Sequence, residues 1–147
     1  MDTTKPTDSV PKSMFVTNYV SGPNTQCSGN GLLPTWRGDF AGKVKGLTLN
    51  LHTVATPAAQ LKVDVFPDGT GGCNSTATGA SDYIPPAASE TVEVAPGHAE
   101  TVVKFNHKPF KATNSLVLML SIVSPNPDQV RVLYDSPDMA SSLQVSK

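Results

Sequence analysis

Leu47-Thr48-Leu49-Asn50-Leu51-His52 puts three leucines on one side of an extended chain and three polar side chains on the other. This period-two alternation belongs to a β-strand with one buried face, because successive strand side chains point to opposite faces. The surrounding chain leaves little room for a helix. Thr35 to Thr56 is the longest stretch without proline, and Gly38, Gly42 and Gly46 interrupt it, each costly in a helix interior.

The same alternation recurs on either side. Leu61-Lys62-Val63-Asp64-Val65-Phe66 is expected as a strand closed by the turn Pro67-Asp68-Gly69. Thr91-Val92-Glu93-Val94 leads to Pro96-Gly97, and Thr101 to Phe105 returns, so residues 90–105 are expected to form a hairpin. Leu116-Val117-Leu118-Met119-Leu120-Ser121-Ile122-Val123 is nearly all apolar, which points to a central strand covered on both faces. A buried helix is its alternative, since leucine and methionine favour helix. Met14 to Val20, Val130 to Tyr134 and Leu143 to Val145 complete the strand candidates.

About eight or nine short strands in one domain give an all-β fold, an antiparallel β-sandwich of jelly-roll type. An immunoglobulin-type sandwich is the competing topology, but both cysteines lie in glycine-rich loops rather than in strands flanking Trp36. Residues 1–13, with Pro6 and Pro11, are expected as a flexible N-terminal linker, and 14–147 as the single sandwich domain.

The chain of 147 residues is 38% hydrophobic, too apolar for a disordered segment. Its net charge of −1 removes the overall basic character of a nucleic-acid binder, so no nucleic-acid partner is expected. No apolar run reaches the length of a membrane-spanning helix. Only 16% of residues are charged, and Cys27 and Cys73 sit in polar loops. Together these predict a Cys27–Cys73 disulfide and a secreted or cell-surface location. The bridge would contribute about 4 kcal/mol in the chain-entropy account. The opening Met1-Asp2-Thr3-Thr4 has no apolar core of a signal peptide, so a module cut from a longer exported protein is expected.

Catalytic motifs are scarce. No Gly-x-Ser-x-Gly elbow, His-Glu-x-x-His pair or phosphate-binding glycine loop is present. His98 and Glu100 have the spacing to share one strand face, two ligands short of a zinc site. Asp64 and Glu93 alternate with valines and are expected on solvent faces rather than as a hydrolytic pair. No cofactor is expected, apart from a structural calcium on loop oxygens of Asp68, Asp82, Asp128 or Asp135.

Binding residues are easier to nominate. Trp36 lies in a Gly/Pro-flanked segment, and Asp82 and Tyr83 lie in the long Pro67–Ser89 stretch. Flat rings of this kind stack on sugar faces, although large aromatic residues also plug sandwich ends. Arg37-Gly38-Asp39 spells the integrin tripeptide but is expected as a glycine turn between strands. Asn74-Ser75-Thr76 fits the glycosylation acceptor pattern.

Leu61 to Gly69 and the ending Tyr134-Asp135-Ser136…Leu143-Gln144-Val145 resemble galactose-binding-like jelly-roll modules appended to bacterial X-Pro dipeptidyl-peptidase-like hydrolases. The long Cys73 loop departs from that pattern. The resemblance implies an appended, non-catalytic module, with no catalytic residue carried over. The functional expectation is an accessory domain binding carbohydrate or a cell-surface polymer. The competing expectations are a structural domain packing on neighbouring domains or subunits, marked by a contiguous apolar patch, and a small enzyme, marked by clustered histidines and acids.

Overall fold

The alternation at Leu47–His52 runs on in both directions: Gly46–Ala55 is one ten-residue strand with every second residue buried. The computed structural model describes residues 12–16, 35–68, 85–123, 130–134 and 141–147. Among them are eleven strands and no helix: β1 (Lys12–Val16), β2 (Thr35–Asp39), β3 (Gly42–Val44), β4 (Gly46–Ala55), β5 (Ala59–Pro67), β6 (Ala88–Val94), β7 (Gly97–Lys104), β8 (Phe110–Ala112), β9 (Ser115–Ile122), β10 (Val130–Tyr134) and β11 (Ser142–Ser146).

Pairing is antiparallel throughout and nested. β1 pairs with β10, β2 with β9, β3 with β8, β4 with β7, and β5 with β6. The chain is therefore one long doubled ribbon, and rolling it up brings β10 against β4 and β9 against β5. The result is two sheets: β1-β10-β4-β7, with β11 added on β4, and β2-β9-β5-β6. This nesting is the jelly-roll arrangement, and it settles the topology against the immunoglobulin alternative. The short β3–β8 ribbon and β11 are additions to the eight strands of the roll.

Leu47, Leu49, Leu51 and Ala55 of β4 meet Leu61, Val63 and Val65 of β5 and Leu116, Leu118, Leu120 and Ile122 of β9 in the core between the sheets. Each of these leucine, valine and isoleucine side chains contributes about 1.5–3 kcal/mol by leaving water. Two hydroxyls share this interior: Thr53 Oγ1 lies 3.0 Å from Thr101 Oγ1 and donates to the Ala99 carbonyl.

Several expectations are corrected. Residues 90–105 are not a hairpin. Gly97, at φ +80°, makes the reversal at Pro96, but β6 pairs with β5 and β7 with β4, so the turn carries the chain from one sheet to the other. Segment 116–123 is a central strand rather than a helix, yet only one face is fully covered: Val117 and Met119 on the other are half-buried. Arg37-Gly38-Asp39 is no turn; it lies inside β2, opposite Val117, Leu116 and Ser115. Lys12 and Ser13, assigned above to the linker, belong to β1, while residues 1–11 lie outside the described residues.

Candidate functional site

The outer face of the larger sheet follows from register alone, because residues opposite one another in an antiparallel pair share a face. At one end Lys104, Thr48 and Gln144 form a row across β7, β4 and β11. The next row is Val102, Asn50 and Ser142, and the next begins Glu100, His52. His98 and Val54 follow, with Arg131 of β10 beyond them. The alternation of β4 places these hydroxyl, amide and imidazole groups outward because its leucines fill the core. The face is thus a mainly polar strip, interrupted by Val102 and Val54, half-buried along β4 and exposed along β7 and β11.

His52 is the most engaged member. Its Nε2 lies 3.6 Å from Glu100 Oε1, and its backbone N–H donates to Ser141 Oγ at 3.4 Å. His98 and Glu100 do share a strand face, and His52 joins them from β4, a neighbour that spacing within one strand cannot reveal. No three His, Cys, Asp or Glu side chains among the described residues are placed so that they could hold a metal ion. His107 is elsewhere, with its Nδ1 2.9 Å from the Lys108 carbonyl and its ring against Phe110.

Beside the first row, Gly46, Leu47, Thr48, Gln144, Val145 and Ser146 line a shallow cleft of about 330 Å³. Ser146 approaches Gly46 closely: a Cβ at Gly46 would lie 2.6 Å from Ser146 Oγ.

On the second sheet, Asp64 corrects its expected solvent position: it is only 4% exposed, accepts from Ser89 Oγ at 2.5 Å and pairs with Lys62 Nζ at 3.2 Å. It does face away from the core, but next to the buried Phe66 that face is covered. Asp68 was nominated above for its loop oxygens. At φ +57° it turns both oxygens onto the β8–β9 connection, where the N–H groups of Thr113, Asn114 and Ser115 donate to it at 2.6–3.0 Å. These donors favour the anion and lower its pKa from 3.8 to about 2.

Of the nominated binding residues, Trp36 has its backbone in β2, in register with Leu118. Asp82, Tyr83, Asn74, Asp128, Asp135 and both cysteines, Cys27 and Cys73, lie outside the described residues. Val102 and Val123 are the exposed large hydrophobic residues among those described; Val102 lies in β7 and Val123 just after β9, which belong to different sheets. The apolar patch expected of an assembly surface is not found among the described residues.

No family model matches the chain, and no curated protein matches it. Among solved structures, a CocE/NonD family hydrolase from Staphylococcus aureus is similar over 92% of this chain and 36% of its own, with TM-score 0.52 and 7% identity. An alpha-amino acid ester hydrolase is similar over 76% of this chain and 25% of its own, with TM-score 0.46 and 9% identity. The C-terminal domain of EclA, a sugar-binding protein, is similar over 94% of this chain and 81% of its own, with TM-score 0.39 and 13% identity. The chain spans well under half of either hydrolase. The first likeness is one of fold, and the two weaker ones add nothing to it.

Proposed function

We propose that the chain is a non-catalytic, secreted accessory module that binds carbohydrate or a cell-surface polymer, in the manner of galactose-binding-like modules attached to X-Pro dipeptidyl-peptidase-like hydrolases. The observation that carries the reading is the outer face of the larger sheet. Its rows of Thr48, Asn50, His52, Ser142 and Gln144 offer donors and acceptors at strand spacing, which suits a ligand made of hydroxyl groups. A rigid sheet holds these groups in place at little entropic cost. The fold likeness to a hydrolase of which this chain matches 36% supports a part played inside a longer protein.

In this reading Trp36, Asp82 and Tyr83 add a stacking region outside the strip, the Cys27–Cys73 disulfide pins the long loop, and binding needs no cofactor. The test is a pull-down of the full chain on insoluble polysaccharides, backed by calorimetry with soluble fragments. Asn50→Ala with Gln144→Ala is expected to weaken binding about tenfold or more, as the loss of two or more hydrogen bonds would. A Trp36→Ala/Tyr83→Ala variant reports on the stacking region. Absence of binding to any polysaccharide at millimolar sugar would overturn the reading. Two free thiols by mass spectrometry of the unreduced protein would remove the disulfide.

A further inference from the structure

The rolled ribbon gathers lysines at one end of the sandwich. Lys43 of β3 and Lys111 of β8 are direct cross-strand partners on the exposed side of their ribbon, while their neighbours Val44 and Ala112 are buried. Like charges opposite one another on a sheet are unfavourable, so the fold alone gives no reason for this pair. Lys45 follows β3, with its N–H on the Ser146 carbonyl at 2.9 Å. Lys147 follows Ser146, its ammonium 5.4 Å from the centre of the Phe40 ring and its stem close to Gly42. Lys104 lies opposite Thr48. Lys108 is exposed in the loop before β8. Six of the chain's eleven lysines and arginines thus surround the Gly46–Ser146 cleft and the ribbon beside it.

Among the described residues four carboxylates accompany them, and none is ion-paired with a lysine of this end. Asp68 is held by three backbone N–H groups, Glu90 accepts from the Asn106 N–H at 2.9 Å, and Glu100 faces His52. Asp39 is exposed in β2. None of Lys43, Lys45, Lys104, Lys108 or Lys111 makes an ion pair with a described residue. Counted over the described residues, six lysines against these four carboxylates leave a local surplus of positive charge beside a cleft lined by Thr48, Gln144 and Ser146.

We propose that the Lys43–Lys111 ribbon and the adjoining cleft bind an acidic polysaccharide, the hydroxyl and amide groups taking the sugars and the lysines their carboxylate or sulfate groups. This rests on the glycan-binding reading above and specifies its ligand class. Lys104 stands in register with the polar rows, and the Lys45 N–H bond to the Ser146 carbonyl joins the ribbon to β11, so charged and hydroxyl groups adjoin and can act on one polymer.

Affinity electrophoresis of the full chain in gels containing dextran, polygalacturonate or dextran sulfate tests it, with calorimetry for dissociation constants. Retardation is expected in an acidic gel but not in dextran, and it should weaken as salt shortens the reach of the charges. The carboxylate and sulfate arms identify which anion is preferred. Lys43→Gln/Lys111→Gln should raise the dissociation constant about tenfold, and Lys43→Arg/Lys111→Arg should retain binding. Circular dichroism checks that each variant is folded. Equal retardation by neutral and acidic polymers, or unchanged affinity in the Gln variant, would overturn the proposal while leaving glycan binding standing. Equally tight binding of duplex DNA would also overturn it, since the site would then select charge alone. Binding to no glycan of either kind would remove both.

Discussion

Asp68 ties two distant pieces of chain together with one side chain. It ends β5, adopts φ +57°, and its carboxylate accepts from three successive N–H groups that begin with Thr113. Aspartate tolerates this left-handed conformation better than most residues, and its short side chain then reaches backbone donors directly. The end of the strand at Asp68 was legible from residue types, but the partner of its side chain was not, because the amides lie more than forty positions away. Since the folded pKa, about 2, is below the ordinary 3.8, the contribution is complete above pH 3.8 and is lost as pH falls through about 2. Thermal melts at several pH values should show Asp68→Asn less stable than the parent at neutral pH, with the gap narrowing across that acid range. A gap independent of pH would show that the charge is not what the amides recognise. Asp64 teaches the complementary lesson: alternation assigned its face correctly but not its burial, which depends on what lies over that face.

At the scale of elements, alternation located β4, β5, β9 and β10 because each has a run of large apolar residues at period two or one. It missed β2, whose Arg37-Gly38-Asp39 has turn composition and becomes a strand only through its ladder to β9. It also missed β3 and β8, each three residues long, where a period can hardly be read. The error over 90–105 has a physical cause: Pro96-Gly97 specifies a reversal but not which sheet receives the chain. β4 and β7 meet instead through partners such as Thr53 and Thr101, whose hydroxyls are 3.0 Å apart in the core. Thr53→Val strands the Thr101 hydroxyl and should cost about 1–3 kcal/mol, whereas Thr53→Val/Thr101→Val should be closer to neutral. Urea denaturation of the single and double variants reads the difference, and additive losses would show that the hydroxyls are not coupled.

At the scale of the molecule, nested pairing determines which surfaces exist. First strand with tenth and third with eighth means that residues far apart in sequence become neighbours: Lys43 with Lys111, His52 with Glu100, Thr48 with Gln144. This is why the fold class was legible in the sequence while the polar strip and the lysine end were not. Composition reports the net charge of −1, and only the roll reveals how unevenly that charge is distributed. The nominated Trp36, Asp82 and Tyr83 rest on residue chemistry alone, whereas the strip rests on register. A ¹H–¹⁵N correlation titration of the full chain with an oligosaccharide from whichever polymer binds tests the central claim most directly. Shifts concentrated at Thr48, Asn50, Ser142 and Gln144 and at the flanking lysines are expected. Saturable binding with shifts confined to other surfaces, or no shift with any glycan at millimolar concentration, would contradict it.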